Sequence, residues 1–140
     1  MAGADGAVSV PEGVARAAAN ALVERKDELA QAITARLYAA MPELDAKYGA
    51  RGRVKCLEDM RYNIEHLAPA VALRSPAMFA GYAHWLGELL QARGIPTTET
   101  VLSLELTLDV LDEALAAAQA AAARPCVEAG LTALGGRTGA

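Results

Sequence analysis
The chain has 140 residues, enough to close one hydrophobic core without disulfide or metal staples. Hydrophobic residues make up 54%, much of it alanine, and no stretch of about 18 residues escapes charge, which excludes a membrane span. Thirteen Lys and Arg against seventeen Asp and Glu leave a net charge of −4, and no basic run offers a phosphate footprint, so nucleic acid is excluded as a partner. The two cysteines, Cys56 and Cys126, form no CxxC or CxxH pattern and read as free thiols. Met1 to Val10 lacks the basic and apolar regions of a secretory signal. The expected location is the cytoplasm.

In chain order, Ser9-Val10-Pro11-Glu12 has the form of a capping box and predicts a helix start. Leu22, Leu29, Ile33 and Leu37 recur at helical spacing, and Arg25-Lys26-Asp27-Glu28 is a solvated interruption that divides this stretch into two helices. Pro42 leaves a short final turn. Tyr48-Gly49-Ala50-Arg51-Gly52 reads as a C-cap and flexible join. The next helix is predicted from Arg53 to Leu73, bent at Pro69. Ser75-Pro76 opens another, which ends at Arg93-Gly94-Ile95-Pro96. Beyond Thr98, Val101, Leu104, Leu108, Leu111 and Leu115 make an apolar stripe widened by Leu102, Leu106 and Val110. Ala114 to Ala123 is expected to prolong that helix, and Pro125 to open a last one from Cys126 to Leu134. No strand pattern or internal repeat appears, so the expected class is all-α with about six helices.

The segment Lys55-Cys56-Leu57-Glu58-Asp59-Met60-Arg61-Tyr62 carries the functional reading. At 100° per residue Met60, Ile64, Leu67 and Val71 share an apolar face, and Glu58, Arg61 and Glu65 point the other way. Cys56, Asp59, Asn63 and His66 form a strip between them. A thiol and a carboxylate one turn apart, set between core and solvent, suit the wall of a ligand cleft. No nucleophile–base pair, phosphate loop or metal spacing accompanies them, so the chain reads as a binding module and not an enzyme.

Lys55, Cys56 and Asp59 match the Lys/Ala-Cys-x-Arg-Asp of the phycobiliproteins, and Leu86-Gly87-Glu88-Leu89-Leu90-Gln91-Ala92-Arg93-Gly94-Ile95-Pro96 resembles their Leu-x-Glu-x-x-x-Ala-Leu-Gly-x-Pro. The two motifs lie at matched separation, and the likeness covers roughly residues 53 to 110. The resemblance implies a globin-like helical bundle that binds a linear tetrapyrrole, a bilin such as phycocyanobilin or biliverdin. It also implies roles: Cys56 as the thioether site and Asp59 as acceptor for the inner pyrrole nitrogens. Lys55, Arg53 or Arg61 would take the propionates, because the family's propionate-pairing arginine is Glu58 here. Too few residues precede Val14 for the two N-terminal extension helices of antenna subunits, so the chain is more similar to short bilin-biosynthesis-associated globins or to globin-like modules linked to cobalamin-binding regulators. The expected layout is a disordered stretch over 1–8, a globin-like domain over 9–134 and a flexible tail over 135–140.

Phe79 and the binding candidates Tyr62, Tyr82 and Trp85 are spaced as core and rim residues that also suit stacking on a flat ligand, with Asn63 beside them. The resulting function is a bilin carrier, sink or sensor, with a biosynthetic or regulatory protein as partner. One alternative is a ligand-free regulatory or dimerisation module. Another is a haem globin using His66 and His84. The surplus apolar surface of the helix where Leu102, Leu106 and Val110 widen a stripe that Leu104, Leu108 and Leu111 already complete predicts a homodimer.

Overall fold
A computed structural model describes residues 10–135. Six helices follow one another: α1 (Glu12–Glu24), α2 (Lys26–Ala40), α3 (Glu43–Ala72), α4 (Pro76–Ala92), α5 (Thr97–Ala114) and α6 (Ala117–Ala133). No strand occurs among the described residues. Ser9 and the predicted loose ends, Gly135 apart, lie outside them.

Most boundaries follow local chemistry. Pro11 precedes α1, where its missing N–H costs nothing. Arg25 alone separates α1 from α2. The Ser75 side chain accepts from the Met78 backbone N–H at 3.2 Å, with Pro76 in the first turn. Gly94 takes φ +85 after α4. The expected join at Gly49–Gly52 contracts to one residue: Gly49 has φ +72 and ψ −174, and the helix resumes at once.

The end of the chain differs from expectation. The helix of the leucine stripe stops at Ala114, Leu115 and Ala116 are extended, and α6 then runs unbroken through Pro125. The cause is tertiary. The Leu115 side chain turns into the core, and the Arg25 guanidinium, itself held by Glu28, hydrogen-bonds the exposed end carbonyl of Ala114.

The core draws side chains from all six helices. α1 and α2 pack against α3, and α4 lies along α6. Phe79 is fully buried where α4 approaches Gly130 of α6 so closely that a Cβ there would meet its ring at 2.7 Å. Met60, Ile64, Leu67 and Val71 of α3 are buried as their spacing predicts. Leu104, Leu108, Val110 and Leu111 are buried too, inside the monomer. The inner stripe is therefore core, and of the residues that widen it Val110 is buried while Leu102 and Leu106 stay partly exposed at the edge of a small second cluster of Leu37, Tyr38 and Leu44.

Candidate functional site
Where α3 passes α5, the side chains leave a cavity of about 160 Å³. Lys55, Cys56, Asp59, Met60 and Asn63 of α3 form one wall, their 3–4 residue spacing keeping them on one face. Leu86 and Leu90 of α4, Ile95, and Glu99, Thr100 and Ser103 of α5 supply the rest, with Leu37, Tyr38 and Tyr48 at the far end.

Asp59 is the least satisfied group on that wall. Its carboxylate is half-buried and makes no hydrogen bond or ion pair among the described residues, and burial pushes its pKa up, against the opposing charges of Lys55 and Arg93. Two arginines near it in sequence that could make it a structural acid are occupied elsewhere. Arg53 lies over the Tyr38 ring at 4.6 Å and within 3.6 Å of Asp45, and Arg61 holds Asp27 at 2.8 Å.

Cys56 is a protonated thiol. Burial pushes it up to about 11, with the nearby Thr34 hydroxyl opposing that shift. The positive charge of Arg53, which favours the thiolate, is outweighed by desolvation. Cys126 is a buried thiol in the core, raised by the same cause.

Asn63 is buried, and its Oδ1 accepts from the Tyr82 hydroxyl at 2.5 Å. Tyr82 itself stays outside the cavity, in a ring cluster in which His66 stacks on it at 4.2 Å and Trp85 lies at 6.0 Å. Tyr62 and Trp85 are 46% and 49% exposed and line no part of the cavity. Of the nine candidate residues the fold therefore gathers Lys55, Cys56, Asp59 and Asn63 at the cavity. Tyr62, Tyr82 and Trp85 lie on an aromatic surface joined to it through Asn63, and Arg53 and Arg61 lie elsewhere.

Glu58 points to solvent and sits 3.8 Å from the Lys55 ammonium. His66 Nδ1 approaches the Tyr62 carbonyl at 3.1 Å, and His84 lies 3.3 Å from Glu88. Neither histidine lines the cavity, so the pair expected to hold haem iron does not meet there. No cluster of three metal-ligating side chains occurs among the described residues, and no helix there is long and apolar enough to cross a membrane.

Sequence reasoning missed Glu99. It is 7% exposed on the cavity wall and accepts from Lys47 Nζ at 2.8 Å and the Tyr48 hydroxyl at 3.0 Å. An acid in a first helical turn ordinarily reads as a solvated partner of the helix dipole, and only the 52-residue separation from Lys47 reveals its role. Thr100 beside it is buried with an unpartnered hydroxyl.

A family model described as phycobilisome protein matches residues 9–134. No curated protein matches the chain.

Proposed function
Since that match spans nearly the whole chain, this protein belongs to the phycobilisome protein family, and from that premise we propose that it is a non-enzymatic binder of a linear tetrapyrrole, acting as a bilin carrier, sink or sensor. The observation that carries the reading is Asp59: a half-buried carboxylate on a cavity wall, without a protein donor, suits a ligand that brings its own N–H groups.

The cavity's residues fit a bilin by chemistry. Asp59 accepts from the pyrrole N–H groups, Asn63 and Lys55 border it, and Cys56 is the nucleophile available for a thioether. When bound, the conjugated tetrapyrrole supplies visible absorption. At about 160 Å³ the cavity is smaller than the roughly 300–1,000 Å³ that encloses a drug-sized ligand, so the ring system is held only in part, with Tyr82, Tyr62 and Trp85 as the neighbouring stacking surface. The same small volume favours the second reading, a ligand-free regulatory module. Two free thiols suit a reducing, cytoplasmic setting, and family membership makes assembly with a second copy or a biosynthetic partner the reading for its oligomeric state.

Incubation with phycocyanobilin or biliverdin, followed by visible spectra and zinc-stained denaturing gels, tests the proposal. The expected result is a bound-state absorption band, weakened and shifted in Asp59→Asn, with any covalent fluorescence lost in Cys56→Ala. A spectrum identical to that of free pigment for the unaltered protein makes the regulatory module the better reading.

A further inference from the structure
The tetrapyrrole reading leaves one side of the ligand unassigned, its carboxylates. The neighbouring cations are largely committed: Lys47 to Glu99 at 2.8 Å and Lys55 to Glu58 at 3.8 Å, and, away from the cavity, Arg53 to Asp45 and Tyr38 and Arg61 to Asp27. Arg93 is different. It is exposed, and its side chain makes no hydrogen bond or ion pair among the described residues. Leu86 and Leu90 both line the cavity, and continuing that register by three residues places Arg93 on the same face of α4, at its C-terminal end. Ile95, two residues on, lines the cavity again. Arg93 is thus bracketed in the chain by cavity residues, and its charge bears on Asp59. Arg51 is equally uncommitted but has no such effect on Asp59.

Two departures from the family's pattern meet at this carboxylate. Position 58 carries Glu in place of arginine, and position 93 carries Arg in place of leucine. Glu58 and Arg93 act on Asp59 with opposite sign. We infer that Arg93 is the anchor for a ligand carboxylate in this chain, the cation having moved from α3 to the end of α4. The inference rests on the tetrapyrrole reading and assigns it a residue. A guanidinium suits the task because its planar fork pairs a carboxylate through two parallel N–H donors, and it stays charged at any physiological pH.

The test compares biliverdin with its dimethyl ester, which keeps the pyrrole N–H groups and removes both carboxylate charges. Each is titrated by visible absorption into the full-length protein, Arg93→Leu and Arg93→Lys. The expected result is that Arg93→Leu loses about fivefold in affinity for biliverdin, the worth of one exposed ion pair, and nothing for the ester, with Arg93→Lys intermediate. Equal losses for both ligands, accompanied by a lower melting temperature, would make Arg93 only a helix-end cap and overturn the inference. Unchanged affinity for biliverdin in Arg93→Leu would overturn it as well while leaving the tetrapyrrole reading standing. Binding of neither ligand by the unaltered protein would sink both.

Discussion

Asp59 is held in a state that suits binding better than stability. Burial raises its pKa above the ordinary value of 3.8, so in that window the folded chain holds a proton more tightly than the unfolded chain does. Its contribution to stability is therefore greatest below the unfolded pKa and falls as pH rises through the folded one, leaving the carboxylate a net cost at neutral pH. Asp59→Asn is expected to raise the melting temperature of the ligand-free protein at pH 7 by about 2 °C, a small gain because the group is only half-buried, and to lower bilin affinity. Calorimetry at pH 7 and at pH 3 checks the sign, since the gain should vanish at the lower pH. Cys56 yields a second expectation. Addition of its sulfur to an ethylidene-bearing bilin forms an S–C bond, breaks the C=C π bond and delivers the thiol proton to carbon. The thiolate is the reacting form, and with the thiol pushed up to about 11 its fraction is small at neutral pH. Attachment of phycocyanobilin should accelerate about tenfold per pH unit between roughly pH 7 and 9. A flat pH–rate profile on zinc-stained gels would show that the bound ligand, or a group beside it, already stabilises the thiolate.

At the scale of elements, the start of α3 shapes the far end of the cavity. Gly49, at φ +72 and ψ −174, breaks the helical backbone so that Glu43–Tyr48 turns relative to the segment that resumes at once after it, and the turn presents Tyr48 and Lys47 to Glu99 of α5. Gly52 permits the close approach, because a Cβ there would lie 2.2 Å from the Tyr48 Cβ. That atom sits on the backbone and cannot swing aside. Gly52→Ala is expected to displace Tyr48, break its hydrogen bond to Glu99 and cost about 1–3 kcal/mol, whereas Tyr48→Phe removes the hydrogen bond alone at about 1 kcal/mol. Urea denaturation of the two variants checks the difference, and equal losses would mean that the hydrogen bond, and not the glycine, sets the geometry. The sequence pattern of this region reads as a helix stop and a loose join, which is right about Gly49 and misses that Gly52 is helical. Local propensity reports where a helix can pause. Whether it resumes depends on partners that are distant in sequence, here Glu99, and at the end of α5 Arg25.

For the whole molecule, the same division separates what was legible from what was not. Periodicity and capping residues reveal the all-helical class, the starts and stops around Ser75-Pro76 and Arg93-Gly94, and the strip of α3 that brings Cys56, Asp59 and Asn63, though not His66, to the cavity. They do not reveal which apolar surfaces are covered from within. On the sequence alone the whole leucine stripe of α5 looks available to a second copy, but α6 folds back and α2 packs over its inner side, leaving Leu104 1% exposed. An alanine-rich segment with no strong stop signal hid that reversal, since the break at Leu115–Ala116 is made by a side chain entering the core and by a guanidinium from α1's end. This distinction is measurable. If the stripe is core, Leu104→Ala removes buried methyl groups and leaves a cavity, lowering unfolding free energy by about 2–5 kcal/mol without altering association. If the stripe were an interface between copies, the loss would appear as a change in association, and the concentration dependence of the urea midpoint would differ between the unaltered protein and Leu104→Ala. Sedimentation together with denaturation at two protein concentrations at least tenfold apart separates the cases, and the buried geometry of Leu104 calls for a large stability loss at an unchanged sedimentation coefficient.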